Sequence, residues 1–247
     1  MNIYRSMALT SAIMAGTFVS HGAMAITDPV EFIENNARLV FQDNFEQGLA
    51  NWVVEKTAAS QVSIIDNQLD IDDGAGVTIW YKEKIDSPSI IEFDGTVVVN
   101  GGANDRGTDL NFFWMANTPK GEGFFERSQW RAGDMRKYDA FELYYVGYGA
   151  NDNSTTRFRY YPGDGSRPLL PQYDVNDVQF MNTPNVMTNI KIISLENKTF
   201  VFANNQKLYE IDDVKPLTSG MFGFRTWKSH LAIDQFKVYS IHNSHKE

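Results

Sequence analysis

Hydrophobic and polar residues alternate along this chain in short segments that are separated by turn residues. Alternation with a period of two is the pattern of a β-strand that buries one face. Asp66-Asn67, Asn100-Gly101-Gly102 and Asn204-Asn205 interrupt the pattern with residues that favour tight turns. The pattern predicts strands within the segments Gln61–Ile71, Val77–Ile85, Ile90–Val99, Phe141–Tyr148, Thr156–Tyr161, Ile190–Leu195, Thr199–Ala203, Met221–Thr226 and Leu231–Tyr239.

Helical features are confined to one short segment near the N-terminus. Pro29 follows Thr27 and Asp28, which suits the first turn of a helix, and this helix is expected to end near Asn36. Short strands with almost no helical periodicity indicate an all-β fold in which two sheets pack as a β-sandwich. No linker or repeat divides the chain, so residues 26–247 are expected to form a single domain with a frayed tail after Ile241.

Residues 1–25 have the features of a secretory signal peptide. Arg5 precedes a mostly apolar run, Met7–Val19, and Ala23-Met24-Ala25 fits the cleavage rule of two small residues around any third. The mature chain would then begin at Ile26. No cysteine follows the cleavage site for a lipid anchor, and no second apolar run is long enough to span a bilayer. We therefore expect a periplasmic or secreted protein without a membrane anchor.

Composition and charge exclude several classes of protein. The chain has 247 residues, 43% of them hydrophobic and 13% aromatic, which is too much apolar surface for a disordered protein. The formal net charge of −9 argues against a nucleic-acid partner, because phosphate neutralisation needs a basic surface. The absence of cysteine excludes disulfides, thiolate catalysis and zinc–thiolate sites.

Several segments resemble one bacterial family. They are LVFQDNFEQGLANWVVE at Leu39–Glu55, GVTIWYKEKI at Gly76–Ile85, LNFFWMAN at Leu110–Asn117, YDAFELYYVGYGANDNSTTRFRYY at Tyr138–Tyr161, RPLL at Arg167–Leu170 and SGMFGFRTWKSHLAIDQFKVY at Ser219–Tyr239. Together they resemble the YesU-like proteins, which have a concanavalin-A-like jelly-roll domain and are similar to proteins of polysaccharide-utilisation loci, including those for pectic rhamnogalacturonan. The resemblance implies a jelly-roll β-sandwich and a carbohydrate context.

Arginine and aromatic residues are concentrated in one window of the sequence. Arg106–Arg167 contains seven of the ten arginines and 14 of the 33 aromatic residues, and its charge sums to +1 in an otherwise acidic chain. Guanidinium groups bind carboxylates and sulfates in bidentate geometry, and aromatic rings stack on sugar rings. An anionic polysaccharide or oligosaccharide is therefore the expected partner of a protein that we expect to be monomeric.

Strand alternation selects candidates for a concave groove. Phe141, Leu143 and Tyr145 would form one face of their strand, assigned to the core, and Glu142, Tyr144 and Tyr148 the face that lines the groove. Asn111 and Trp114 lie on opposite faces of their strand, so only one of them can reach the groove without a bulge. The residues expected to bind substrate are Arg106, Trp114, Arg127, Arg131, Glu142, Arg157, Arg225 and Trp227.

The favoured reaction is β-elimination of a uronate-containing glycan by a polysaccharide lyase. Such an enzyme neutralises the uronate carboxylate and takes the neighbouring proton with a base. The candidates for the first role are Arg106, Asn111, Arg157 and Arg159, of which Asn111 and Arg159 are taken as catalytic. The candidates for the second role are Tyr144, Tyr148 and His230. Nearby arginines would favour the phenolate form of a tyrosine base.

Two other functions remain open. A glycoside hydrolase needs two carboxylates about 5 to 9.5 Å apart, and its candidates are Asp105, Asp109, Glu126, Asp139 and Glu142. A non-catalytic glycan-binding protein would need neither set of catalytic groups. Convergence of an arginine, a tyrosine and His230 would favour the lyase, two facing carboxylates the hydrolase, and neither arrangement the binding protein. No cofactor or catalytic metal is predicted; a structural calcium ion between the Asp43 region and Asp234 would resemble what some related sandwiches carry.

Overall fold

A computed structural model describes residues 29–213 and 215–241. The predicted signal peptide, residues 1–25, and the predicted frayed tail after Ile241 lie outside the described residues. Three short helices, α1 (Pro29–Asn35), α2 (Ser128–Arg131) and α3 (Ala150–Asn153), occur among the strands. In the part of the chain that the structure describes, no helix is long and apolar enough to cross a membrane.

Sixteen strands form in the described residues. In chain order they are β1 (Ala37–Asp43), β2 (Trp52–Glu55), β3 (Ser60–Ile65), β4 (Gln68–Asp73), β5 (Val77–Tyr81), β6 (Ile85–Asp86), β7 (Ser89–Val97), β8 (Leu110–Asn117), β9 (Glu142–Gly149), β10 (Thr155–Pro162), β11 (Asp174–Val175), β12 (Thr188–Ser194), β13 (Lys198–Ala203), β14 (Gln206–Asp212), β15 (Ser219–Thr226) and β16 (His230–Ile241).

The strands form two antiparallel sheets of eight strands each. The back sheet has the order β14-β13-β12-β7-β16-β4-β3, with β1 paired to β16. The front sheet has the order β11-β10-β9-β8-β15-β5-β2, with β6 paired to β15. Strands that are distant in sequence become neighbours, as β8 and β15 do. The predicted all-β sandwich is confirmed.

The main hydrophobic core lies between the two sheets. Alternate residues of the back sheet, such as Phe93 and Ile233, meet alternate residues of the front sheet, such as Phe112 and Phe224. These side chains are at most 1% exposed. Burial of this many large apolar side chains, at roughly 1.5–3 kcal/mol each, is what holds the sheets together without disulfides.

A second hydrophobic cluster covers part of the outer face of the front sheet. The segment 118–141 lies over this face, and its Phe124 and Tyr138 pack on Trp80 of β5. Phe113 of β8 stacks on the same indole with ring centroids 5.3 Å apart. Part of the front sheet is therefore buried on both faces, and the uncovered remainder forms the candidate site.

No calcium site is evident near Asp43. The Asp43 carboxylate accepts hydrogen bonds from the Phe45 backbone NH, Asn51 Nδ2 and Trp52 Nε1, at 2.8, 3.2 and 2.9 Å. Within residues 29–213 and 215–241, no three His, Asp or Glu side chains are arranged to hold a metal ion. A structural calcium ion at this place is what the resemblance would allow, and these contacts do not test it.

Candidate functional site

A pocket of about 570 Å³ opens on the outer face of the front sheet beside the segment 118–141. Its floor comes from the adjacent strands β10, β9, β8 and β15, and its rim from loops at the ends of these strands. We call it the arginine pocket. Its lining residues are Arg106, Asp109, Asn111, Met135, Tyr145, Asn151, Asp152, Arg157, Arg159, Tyr161, Arg167, Leu169, Arg225 and Trp227.

Strand register places three polar side chains of the floor in one row. Arg157 of β10 pairs with Gly147 of β9, Gly147 pairs with Asn111 of β8, and Asn111 pairs with Arg225 of β15. A Cβ atom at Gly147 would lie 2.9 Å from the Tyr145 hydroxyl. Because glycine has no side chain, the Tyr145 hydroxyl can occupy the space between Arg157 and Asn111.

Four of the five arginines in the pocket already have partners. Arg159 Nη1 donates to Asp174 Oδ1 at 2.7 Å, and Arg106 pairs with Asp152. Arg167 pairs with Asp139, and Arg225 donates to the Gly133 carbonyl and to Thr78. These contacts hold the four guanidinium groups in place.

Arg157 differs from the other four arginines. Its guanidinium has no hydrogen bond or ion pair with any of the described residues, although it lies in the half-buried wall of the pocket. Two carboxylates, Asp109 and Asp152, line the pocket beside the five arginines. The pocket therefore has an excess of positive charge and one free bidentate donor, which suits a carboxylate or a sulfate.

Asp109 and Asn111 form the polar corner of the pocket. Asn111 Nδ2 donates to Asp109 Oδ1 at 3.0 Å, while Asn111 Oδ1 is buried and has no partner among the described residues. Burial raises the pKa of Asp109, against the opposing effects of the Asn111 hydrogen bond and the Arg106 charge. An unpaired acceptor at this place is suited to a ligand hydroxyl, because it costs free energy while it stays unpaired.

Two tyrosines line the pocket, but neither favours the phenolate in the free protein. Burial raises the pKa of Tyr161 to about 12, and it raises the pKa of Tyr145 further still. The positive charge of Arg157 lowers both pKa values without overcoming burial. The arginines thus favour the phenolate, as expected, but burial outweighs them at both residues.

Three predicted site residues face the core between the sheets. Trp114, Tyr144 and Tyr148 are at most 3% exposed and belong to the main core, so the predicted groove face of β9 was wrong. Tyr144 donates to Asp213 Oδ2 at 2.5 Å and accepts from the Leu217 NH at 2.9 Å. Of the pair Asn111 and Trp114, Asn111 is the residue that reaches the pocket.

His230 does not line the arginine pocket. Its Nδ1 lies 2.9 Å from Asp105 Oδ1, and its Nε2 lies 2.8 Å from Asp70 Oδ2. Burial opposes the charged imidazolium, but the two carboxylates outweigh burial and raise the pKa of His230. The histidine thus ties the loop containing Asp105 to the back sheet, and it does not converge with an arginine and a tyrosine, the arrangement that would have favoured the lyase.

Three further predicted residues lie outside the pocket. Arg131 is 1% exposed and paired with Glu55. Arg127 stacks on Trp130, with its guanidinium carbon 4.1 Å from the ring centroid. Glu142 is exposed at the start of β9. None of the three lines the arginine pocket, so the structure does not bring them together with Arg157.

Of the five carboxylates considered for a hydrolase, Asp109 alone lines the pocket. Asp105 is bound to His230, and Asp139 is paired with Arg167. Glu126 accepts from the Gly123 NH, and Glu142 is the exposed residue already described. The two facing carboxylates that hydrolysis needs are therefore missing from this candidate set.

Tyr145, Tyr161 and Arg167 are pocket residues that were not selected from the sequence. Tyr161 alternates with Phe158 and Tyr160 and so shares the face of Arg157 and Arg159, a signal that was available. Tyr145 pairs with Arg159 across the strands, which places both on one face. That pairing between β9 and β10 is not readable from either strand alone.

One family matches most of the chain. DUF6250, a domain of unknown function, matches residues 71–236, which include every strand of the pocket floor. No curated protein sequence matches the chain significantly.

Solved structures with low sequence identity have the same fold. A protein of unknown function with a galectin-like fold from Bacillus subtilis is 17% identical, with a TM-score of 0.64 over 83% of this chain and 98% of that chain. The carbohydrate-binding module CBM66 from Bacillus subtilis is 12% identical, with a TM-score of 0.51 over 78% and 98%. A β-glucanase from Bacillus licheniformis is 10% identical, with a TM-score of 0.53 over 82% and 98%. These similarities show a jelly-roll β-sandwich and nothing more about this chain.

Proposed function

The chain belongs to the DUF6250 family, and we propose that it binds an anionic, uronate-containing glycan in the arginine pocket. The observation that carries this proposal is the unpaired guanidinium of Arg157 in a pocket with five arginines and two aspartates. A sugar carboxylate would take the free fork of Arg157 in a bidentate pair. A neighbouring sugar hydroxyl would donate to the unpaired Asn111 Oδ1.

Other features support a sugar ligand. Trp227 is 47% exposed at the rim of the pocket, where its indole can stack on the apolar face of a sugar ring. Solved relatives in the same fold include a carbohydrate-binding module and a β-glucanase. The signal-peptide features of residues 1–25 would place the protein outside the cytoplasm, where polysaccharides occur.

Calorimetry with oligogalacturonate tests the proposal. We expect Arg157→Gln to weaken binding by about tenfold or more, because it removes a charge-assisted hydrogen-bonded pair of about 1.5–3 kcal/mol. Arg127→Gln is the matched control, because Arg127 lies outside the pocket on the surface. Equal losses in the two variants, or no binding of oligogalacturonate, pectin, alginate or ulvan by the wild type, would contradict the proposal.

Cleavage of the same glycan by β-elimination is the second candidate, and one observation favours it. The Tyr145 hydroxyl occupies the space over Gly147, between Arg157 and Asn111. When the sugar carboxylate is bound to Arg157, the Tyr145 hydroxyl beside it is the group that can act as the base. The C–H bond next to the carboxylate would break, its electron pair would form a C=C bond, and the glycosidic C–O bond would break.

The leaving oxygen would take the proton that Tyr145 has accepted, so that the same side chain acts first as base and then as acid. The ultraviolet absorbance of unsaturated uronate measures this reaction directly. We expect the absorbance to rise on mixing the protein with an acidic polymer, most steeply at alkaline pH, because burial raises the pKa of Tyr145. Binding without any rise in absorbance would leave the protein a glycan-binding protein.

A further inference from the structure

The strand β3 lies at one edge of the back sheet, and its outer side pairs with no other strand of the described residues. It has no charged residue and no proline, and its register with β4 has no bulge. The side chains on the outer face of the sheet, Gln61, Ser63 and Ile65, are exposed, Ile65 by 51%. An uncharged and exposed edge of this kind is a template for pairing with another strand.

The other edge strands are protected against such pairing. The strand β14 has the charged residues Lys207, Glu210 and Asp212, and β1 has a bulge between Leu39 and Phe41. The strands β6 and β11 are only two residues long, and the segment 118–141 covers the end of β2. Charges, bulges, short strands and covering segments are the usual means of preventing edge-to-edge contact. Since β3 has none of these, its edge is the one suited to a partner strand.

The turn between β3 and β4 determines which backbone groups of β3 point outward. Asp66 and Asn67 form a two-residue turn with a positive φ at both residues. In such a hairpin the pair that flanks the turn exchanges its backbone hydrogen bonds, and every second pair along the strands does the same. The intervening residues, Ser60, Val62 and Ile64, therefore direct their NH and C=O groups away from β4.

Two of these three residues have no hydrogen-bond partner at the edge. The Ser60 NH donates to the Thr57 carbonyl at 3.4 Å, and the Ser60 carbonyl accepts from Lys56 Nζ at 2.8 Å. Nothing in the described part of the chain hydrogen-bonds to the outward groups of Val62 or Ile64. The edge thus offers the NH and C=O groups of two residues that are separated by one.

We propose that two copies of the chain form a symmetric dimer in which β3 pairs antiparallel with β3 of the partner, about a two-fold axis at Ser63. Val62 then lies opposite Ile64 of the partner subunit, and each such pair exchanges both backbone hydrogen bonds. This register uses all the available outward groups. Val62 opposite Val62 would need the occupied groups of Ser60, and Ile64 opposite Ile64 would place Val62 opposite the turn.

Charge complementarity at the two ends of the interface supports this register. Asp66, the residue after β3, lies opposite Ser60 of the partner subunit, and the Ser60 carbonyl is the group that Lys56 contacts. Asp66 and Lys56 are both exposed, so each copy places a carboxylate near a lysine of its partner. The arginine pockets stay open, because they lie on the front sheet. The dimer departs from the monomer expected from the sequence, and it does not depend on the proposed function.

Single cysteines test the register, because the chain contains no cysteine of its own. The two Ser63 residues would form a pair without backbone hydrogen bonds, with Cα atoms about 4.5 Å apart, which a disulfide can span. The two Gln61 residues would lie about 13 Å apart along the strands, which a disulfide cannot span. We expect air oxidation with copper phenanthroline to cross-link Ser63→Cys into a dimer on a non-reducing gel. Gln61→Cys, the matched control on the same face of the same strand, should stay monomeric, and equal cross-linking of the two variants would overturn the inference.

Ser63→Lys tests the interface without a cross-link. It places two ammonium groups opposite each other at the axis, whereas within one copy the lysine faces Asp70 of β4, a favourable cross-strand pair. An unchanged melting temperature would show that the variant is folded. In sedimentation equilibrium we expect the wild-type mass to rise with protein concentration toward that of two chains and the variant mass to stay at that of one. A single strand pair is a small interface, so the wild-type dimer should dissociate on dilution. A wild-type mass of one chain at every concentration, or equal dimerisation of the two proteins, would overturn the inference.

Discussion

Arg131 and Glu55 form a buried, two-pronged ion pair that joins the segment 118–141 to the edge of the front sheet. Arg131 Nε and Nη2 lie 3.0 and 2.6 Å from Glu55 Oε1, and both side chains are at most 1% exposed. Tyr138 adds a hydrogen bond to Glu55 Oε2 at 2.5 Å. The arginine that the sequence assigned to substrate binding thus fixes the wall beside the pocket.

Loss of this pair should therefore reduce stability. Arg131→Met leaves the Glu55 carboxylate buried without its cation, and we expect the free energy of unfolding to fall by about 3–5 kcal/mol. Urea titration measures the change. Arg127→Met, four residues earlier on the surface, should change stability by no more than about 0.5 kcal/mol. Similar values for the two variants would argue against a structural role for the pair.

Neighbouring tyrosines of β9 should separate stability from activity. Tyr144→Phe removes hydrogen bonds to Asp213 and to the Leu217 NH in the core, so unfolding should become easier by about 1.5–3 kcal/mol, with glycan binding retained. Tyr145→Phe removes a hydroxyl without a hydrogen bond to any described residue, so stability should hold while lyase product is lost. Thermal melting and uronate absorbance measure the two effects. If Tyr144→Phe instead lost lyase product and Tyr145→Phe lost stability, the substrate groove would lie on the face of β9 that carries Tyr144.

Binding should depend on the protonation of Asp109. Burial raises the pKa of this carboxyl, so as the pH falls Asp109 gains its proton at a higher pH than an ordinary aspartate does. An acidic ligand then meets less repulsion, and its affinity should increase until the ligand itself becomes protonated. Asp109→Asn should flatten this part of the pH profile in calorimetry. Asparagine also tolerates the positive φ of 65° at this position, so the variant keeps the local backbone.

The pH dependence of stability should report on His230. Asp70 and Asp105 outweigh burial and raise the pKa of His230 above its usual 6.5, so the folded state binds this proton more tightly than the unfolded chain. The resulting stabilisation is complete below about pH 6.5 and is lost as the pH rises through the folded-state pKa. The stability difference between the wild type and His230→Gln should narrow as the pH rises above about 6.5. If the stability difference did not change with pH, the hydrogen bonds of His230 would stabilise the fold without a contribution from its charge.

The sequence predicts the sandwich well because period-two alternation survives in most strands. Alternation fails to orient β9, where Leu143 and Tyr145 on one face are as apolar as Tyr144 and Tyr148 on the other. The reason is that both faces are buried, one between the sheets and the other beneath the segment 118–141. A strand without a solvent face contains no polarity signal for its orientation.

The candidate site is predicted unevenly for a similar reason. Arg157, Arg159 and Arg225 are found from the sequence because each alternates with large apolar neighbours in its own strand. Arg131 and His230 are misassigned because their roles depend on Glu55 and Asp105, partners that are distant in the sequence. Residue type shows that a side chain needs a partner, and the fold decides whether that partner is a ligand or another residue.

The loop between β7 and β8 connects the two sides of the molecule. Asp105 is bound to His230 at the back sheet, while the next residue, Arg106, contacts the Trp227 carbonyl at the rim of the pocket at 3.1 Å. His230 is the only histidine within residues 29–213 and 215–241. We therefore expect the NMR resonances of the His230 imidazole to shift when a ligand displaces Arg106, although the ligand does not contact this ring.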